Sequence, residues 1–187
     1  MGVMFFRFFH RPKTDPLHVA MMGVRMGERV LQIGCDDPTL LAGVAAKVGL
    51  SGTAAAAVGN AEEAARAEQA GAEAGALVDI RTGALTALPF DAGSFDIVVI
   101  DDTAGRFAAL GSDVRDGAAR EALRVLRAGG RVEIVEGVKT AGMRGQPIAR
   151  PDGYAGDAVL TAAGFRPVRV LAEREQYRFY EGLKPAT

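Results

Sequence analysis

The sequence predicts an α/β protein: a doubly wound, mostly parallel seven-stranded sheet with helices on both faces and a C-terminal antiparallel hairpin strand. Three observations predict it. From Arg29 to Val135, short apolar runs alternate with helix-like stretches, the β-α-β-α order that right-handed crossovers wind into a sheet covered on both faces. One run, FDIVVI from Phe95 to Ile100, is apolar at nearly every position, as a strand buried on both sides must be. The last two apolar runs lie close together and pair as a hairpin.

Each element follows from local signals. Asp15-Pro16 predicts a helix start, an N-cap followed by proline at the first helical position, with the helix running to about Met22. Arg29 to Ile33 is the first strand and ends at Gly34. Pro38 to Val48 is the next helix, closed by Gly49 and Gly52, and Thr53 to Val58 is an alanine-rich strand. Asn60 caps a helix from Ala61 to Ala70, with Glu63 three residues on as in a capping box and Gly71 as its stop. Leu77 to Arg81 and Phe95 to Ile100 are the third and fourth strands. An amphipathic helix from Ala118 to Arg127 ends at Gly129-Gly130, and Arg131 to Val135 is the fifth strand. Gly137 to Gly153, rich in Gly, Pro and Arg, reads as a long mobile loop. Ala155 to Ala163 is the final helix, followed by strands from Phe165 to Leu171 and Tyr177 to Leu183.

The 187 residues suit one domain, expected from position 15 to 187 behind an aromatic and basic segment at 1–14. A net charge of -1, from 22 Lys plus Arg against 23 Asp plus Glu, argues against binding nucleic acid through bulk electrostatics. The single cysteine, Cys35, excludes an internal disulfide and a Cys-rich zinc site, and only His10 and His18 are available as imidazoles, so no metal centre is expected. No run of about 18 apolar residues exists, and the start lacks the apolar stretch and cleavage site of a signal peptide, so a cytoplasmic location is expected. Phe5, Phe6, Phe8 and Phe9, interleaved with Arg7, Arg11 and Lys13, suit either packing on the domain itself or a contact outside it: a homodimer, a protein partner or a weak membrane-surface contact.

Sheets of this kind bind ligands beyond the carboxyl ends of their strands. That places the candidate site at Gly34 to Asp37, Gly59-Asn60, Gly83-Ala84 and Asp101 to Thr103. Asp37 followed by Pro38 is a strong helix start whose own carboxylate satisfies the first amides, leaving fewer free N–H groups for an anion. Asp101 and Asp102 follow the fourth strand; they either orient a ligand or cap the next turn.

The blocks GERVLQIGCDDPTLLAGVA, LPFDAGSFDIVV, EALRVLRAGGRVEIVEG and AAGFRPVRV, in this order, resemble the class I S-adenosylmethionine-dependent methyltransferases, in particular the small-molecule branch of the ubiquinone/menaquinone-biosynthesis type. The resemblance covers roughly Gly27 to Lys184 and implies a Rossmann-like fold, S-adenosylmethionine as cofactor and a small-molecule acceptor. Carried over by position, the cofactor would meet Gln32, Gly34, Cys35, Asp36, Gly59, Asn60, Gly83, Ala84 and Asp101; the acceptor would meet Asp102, Thr103, Arg144 and Tyr154; and Asp101 and Asp102 would be the catalytic candidates. The family's acid-x-Gly-x-Gly-x-Gly loop is altered: Gln32 replaces the acid, Gly34 survives, and Asp36 and Pro38 replace the other glycines. Asn60 stands near the acid that would hold the ribose, and Ala84 stands where an acid would meet adenine. These departures imply a degenerate cofactor motif and leave a second reading open, a methyltransferase-like fold that has become a binding or scaffolding partner.

Overall fold

The computed structural model describes residues 16–140 and 145–186. The aromatic cluster at positions 5 to 9, Asp15 and Arg144 lie outside the described residues. The elements in order are α1 (Leu17–Met21), β1 (Arg29–Ile33), α2 (Pro38–Val48), β2 (Thr53–Val58), α3 (Ala61–Ala74), β3 (Val78–Thr82), β4 (Phe95–Asp102), α4 (Arg106–Ala109), α5 (Ser112–Val125), β5 (Leu126–Gly137), α6 (Gly156–Ala163), β6 (Val168–Arg174) and β7 (Tyr177–Leu183). They build one seven-stranded sheet in the order β3-β2-β1-β4-β5-β7-β6. β1 to β5 pair in parallel, and β7 runs antiparallel between β5 and β6. The chain winds outward from β1 to β3, then returns to lay β4 on the other side of β1. The switch point therefore lies between β1 and β4, where a crevice forms at the strands' carboxyl ends.

The apolar run in β4 divides between the two faces. Val98 and Ile100 join Leu31, Ile33, Leu160 and Phe165 in one core. Ile97 and Val99 join Val30, Leu40, Val44 and Phe179 in the other. Side chains alternate across a strand, so a strand covered on both faces needs apolar residues at successive positions.

Several boundaries differ from the sequence expectations. Gly71 does not stop α3; it lies buried inside the helix, where an added Cβ would sit 3.3 Å from both the Ala76 carbonyl and the Val78 side chain. It is there for close packing, and Gly75, in a left-handed conformation, ends the helix four residues later. α5 begins at Ser112 and passes directly into β5, while Gly129-Gly130 lie in an irregular stretch between the Phe95–Leu126 and Ile97–Arg131 pairs. α4 is an additional short helix. β4 continues through Asp101 and Asp102, so these carboxylates belong to the strand and do not follow it. β6 starts at Val168, and Phe165 is a fully buried core residue ahead of it. α1 starts at Leu17 with Pro16 at the cap position.

Candidate functional site

The floor of the crevice is the turn from β1 into α2. Gly34 takes φ +79°, and an added Cβ there would lie 3.3 Å from the Asp101 carbonyl oxygen, so the turn both needs glycine's conformation and leaves little room for a side chain. Asp37 caps α2 as its position before Pro38 predicts: its carboxylate accepts from Thr39 N at 2.8 Å and Thr39 Oγ1 at 2.7 Å. His18 Nε2 lies 3.2 Å from the same carboxylate, tying α1 to the start of α2.

The turn's remaining amides are taken by a residue from the neighbouring strand. Asp101 Oδ2 accepts from Asp36 N and Asp37 N, both at 2.9 Å, and from Gln32 Nε2 at 3.3 Å. Asp101 Oδ1 accepts from Thr103 N at 3.1 Å and Thr103 Oγ1 at 2.7 Å. Asp36 braces the opposite way: its Oδ2 accepts from Ala104 N at 3.0 Å and Arg106 N at 3.4 Å, and Arg106 Nη1 lies 3.5 Å from Oδ1. The end of β4 thus lends a carboxylate to the backbone of the β1–α2 turn, and that turn lends one to the backbone after β4. Burial pushes the Asp101 carboxyl up to about 7 despite its hydrogen bonds, with the Asp36 charge adding to the rise. Asp36 is raised for the same primary reason.

At the end of β2, Asn60 caps α3 by accepting from Glu63 N at 3.0 Å. The Glu63 carboxylate returns to accept from Gly59 N at 3.0 Å and Asn60 Nδ2 at 3.2 Å. Glu63 is the capping-box partner that its spacing from Asn60 predicts, and its side chain is also part of the crevice wall. The crevice holds about 200 Å³. Gly34, Asp36, Gly59, Asn60 and Asp101 line it as expected, together with Leu85, Arg106, Phe107 and Leu110, which sequence reasoning missed. Leu85, Phe107 and Leu110 form its apolar side, and Asp36, Glu63, Asp101 and Arg106 its charged side. Arg106 and Phe107 carried no local signal, because α4 has only four residues and reaches the crevice through the fold.

Other positions lie elsewhere. Gln32 is buried beneath the turn, donating to Gly34 O at 3.1 Å as well as to Asp101. Cys35 is buried in the cluster with Leu41, Ala67 and Ala70, and desolvation pushes its thiol up to about 12. Gly83 and Ala84 are exposed at the end of β3, while Leu85 supplies the crevice wall. Asp102 is fully buried: it accepts from Ala108 N at 3.0 Å and from Tyr154 Oη at 3.4 Å, and Arg150 Nη2 lies 3.3 Å away. Its carboxyl is pushed up to about 6, chiefly by burial. Asp102 and Tyr154 therefore meet, but as partners of each other. Thr103 is engaged by Asp101 and also lines a second cavity of about 320 Å³ with Asp37, Lys139, Gln176 and Tyr177. Among the described residues, no group of three or more His, Cys, Asp or Glu could hold a metal ion, and no helix is long and apolar enough to cross a membrane.

A methyltransferase-domain family model matches residues 31–134, from β1 through most of β5 and across the whole crevice floor. The chain belongs to this methyltransferase family. Among solved structures, a SAM-dependent methyltransferase from Aquifex aeolicus is 20% identical, covering 89% of this chain and 87% of that one with a TM-score of 0.71. A SAM-dependent methyltransferase from Methanosarcina mazei is 17% identical over 93% of this chain and all of its own, with a TM-score of 0.63. The cyclase SpnF is 20% identical over 90% of this chain and 79% of its own, with a TM-score of 0.64. At these identities the likeness establishes the Rossmann-like methyltransferase fold. No curated protein sequence matches the chain.

Proposed function

We propose that this methyltransferase-family protein moves a methyl group from S-adenosylmethionine to a small molecule, in the ubiquinone/menaquinone-biosynthesis-like branch that its LPFDAGSFD and RVLRAGGR blocks resemble. One observation carries the reading: the carboxyl ends of β1, β2 and β4 frame a crevice lined by the acidic side chains of Asp36, Glu63 and Asp101 and by one guanidinium, Arg106, which lies 3.5 Å from Asp36. That balance suits a ligand with sulfonium and ammonium charges and one carboxylate. Asn60 and Glu63, already paired with each other at the end of β2, would hold a ribose diol through their remaining lone pairs in place of the absent acid. Leu85, Phe107 and Leu110 offer apolar walls to a purine. Gly34, with no side chain, lets the turn pack close against the Asp101 carbonyl at the floor of the crevice.

When bound, the sulfonium supplies an electrophilic methyl group. The chain's own contribution is orientation and exclusion of water, which need no strong base if the acceptor is already nucleophilic. Asp102 and Tyr154 stabilise each other behind the crevice. The second cavity, with Thr103 and Tyr177 on its wall, is the open space left for an acceptor.

Two observations favour the alternative, a protein of this fold that binds or scaffolds without turnover. Asp101 already occupies the Asp36 and Asp37 amides. The crevice, at about 200 Å³, is also smaller than the roughly 300–1,000 Å³ common for small-molecule sites. Fold likeness does not decide between the readings, since one fold hosts many functions. Calorimetric titration with S-adenosylmethionine and S-adenosylhomocysteine separates them. Saturable heat that weakens in a Glu63→Gln variant supports the donor site, and no heat at millimolar ligand removes it.

A further inference from the structure

We propose that a second copy of this chain docks along β3, edge to edge and antiparallel, so that Asp79 of each strand faces Arg81 of the other. Among the described residues, β3 is a terminal strand of the sheet, paired only with β2. Gly83 N donates to Val58 O on β2. Main-chain groups alternate along a strand, so those of Asp79 and Arg81 also point to β2, and those of Val78, Ile80 and Thr82 point away from the sheet. The outward set is centred on Ile80. An antiparallel copy in that register pairs Ile80 with its own equivalent and Val78 with Thr82, each as a hydrogen-bonded pair.

The side chains agree with this register. Asp79 and Arg81 fall opposite each other at the non-hydrogen-bonded positions, where cross-strand side chains come closest. Within one chain they already form a two-point pair, Arg81 Nε to Asp79 Oδ1 at 2.7 Å and Nη2 to Oδ2 at 3.1 Å, with both side chains about half exposed. The symmetric dimer extends that pair into a two-by-two block of four charges in which each neighbour along or across the strands has the opposite sign. Leu77, 95% exposed, falls opposite Gly83, where an added Cβ would have nothing within 4 Å. Leu50, fully exposed, stands beside Leu77 on a groove of about 580 Å³ that runs along the same edge. Charged residues on an edge strand ordinarily repel a visiting strand. Here their order makes them self-complementary, as a two-fold interface requires.

Sedimentation velocity on the full chain tests the proposal, with circular dichroism to confirm folding of every variant. The wild type is expected to show a concentration-dependent dimer. Asp79→Arg and Arg81→Asp each replace two attractive cross-strand pairs with repulsive ones, and each is expected to weaken the dimer about tenfold or more. The double variant D79R/R81D restores both the internal pair and the cross-strand pairs, and is expected to recover the dimer. A wild type that stays monomeric at its solubility limit overturns the proposal. So does a dimer indifferent to both single variants, which places the contact elsewhere on the chain, or a double variant that stays monomeric, which rejects the register.

Discussion

Replacing Asp101 by alanine tests whether one carboxylate holds the crevice floor. Asp101 accepts five hydrogen bonds, two of them from the Asp36 and Asp37 amides that turn the chain from β1 into α2. Without it those two amides have no acceptor in a part-buried turn. An unpartnered buried donor costs about 1–3 kcal/mol, so alanine should destabilise the fold by about 2–6 kcal/mol. Thr103 is half-buried, and water can take its share. Asparagine keeps one oxygen for the turn but sets an NH2 against Thr103 N, a single mismatch of about 1–3 kcal/mol. The two variants should also differ from the wild type in pH dependence. Burial raises the Asp101 carboxyl from its ordinary 3.8 to about 7, so the folded protein holds a proton that the unfolded chain has released between those values. The stabilisation due to that proton is complete below about pH 4 and is lost as pH rises through about 7. Asparagine does not titrate, so the gap between wild type and Asp101→Asn should narrow from about pH 4 to about pH 7. Urea unfolding followed by circular dichroism, at fixed ionic strength, measures both quantities. An Asp101→Ala protein within about 0.5 kcal/mol of wild type would refute the bracing role. A gap that widens with pH would refute the assignment of a raised carboxyl.

Three further outcomes are expected. Asp37→Ala removes the cap of α2 and one of the two partners of His18 Nε2, and should cost about 0.5–2 kcal/mol in the same unfolding assay; an unchanged midpoint would show the cap to be idle. Gly137→Ala would drive a methyl group into the Thr103 carbonyl, and since a Cβ is fixed by its own backbone and the carbonyl is backbone, neither can swing aside and the ends of β4 and β5 must part. A loss of about 1–3 kcal/mol or more should appear in thermal melts, and a normal melting temperature would mean that this close approach is not real. The Cys35 thiol, buried and pushed up to about 12, should ignore an aromatic disulfide reagent in the folded protein and react once urea unfolds the chain; rapid labelling of the native state would contradict its burial.

Much of the architecture was legible because it rests on local pattern. The run FDIVVI needs two apolar faces, and β4 has them. Asp37-Pro38 and Asn60 announce helix starts through capping chemistry, and both caps are made. Glycine was less legible, because it has two uses. Gly75 ends a helix through its left-handed conformation, whereas Gly71 sits within one because Val78 and Ala76 press against it. Periodicity alone does not tell these apart.

By itself, then, the sequence determined the βα alternation, the sheet's parallel half and its closing hairpin, and the glycine turn after β1. Only the tertiary structure decided what the crevice contains. Asp101 meets the Asp36 amide across 65 positions of chain, and Asp36 meets Ala104 across 68. Arg106 and Phe107 reach the wall from a one-turn helix, and Asp102 and Tyr154 are consumed by each other. The physical reason is the same in every case. Caps and strand faces are satisfied by near neighbours, while a buried carboxylate takes whichever amides the folded sheet brings beside it.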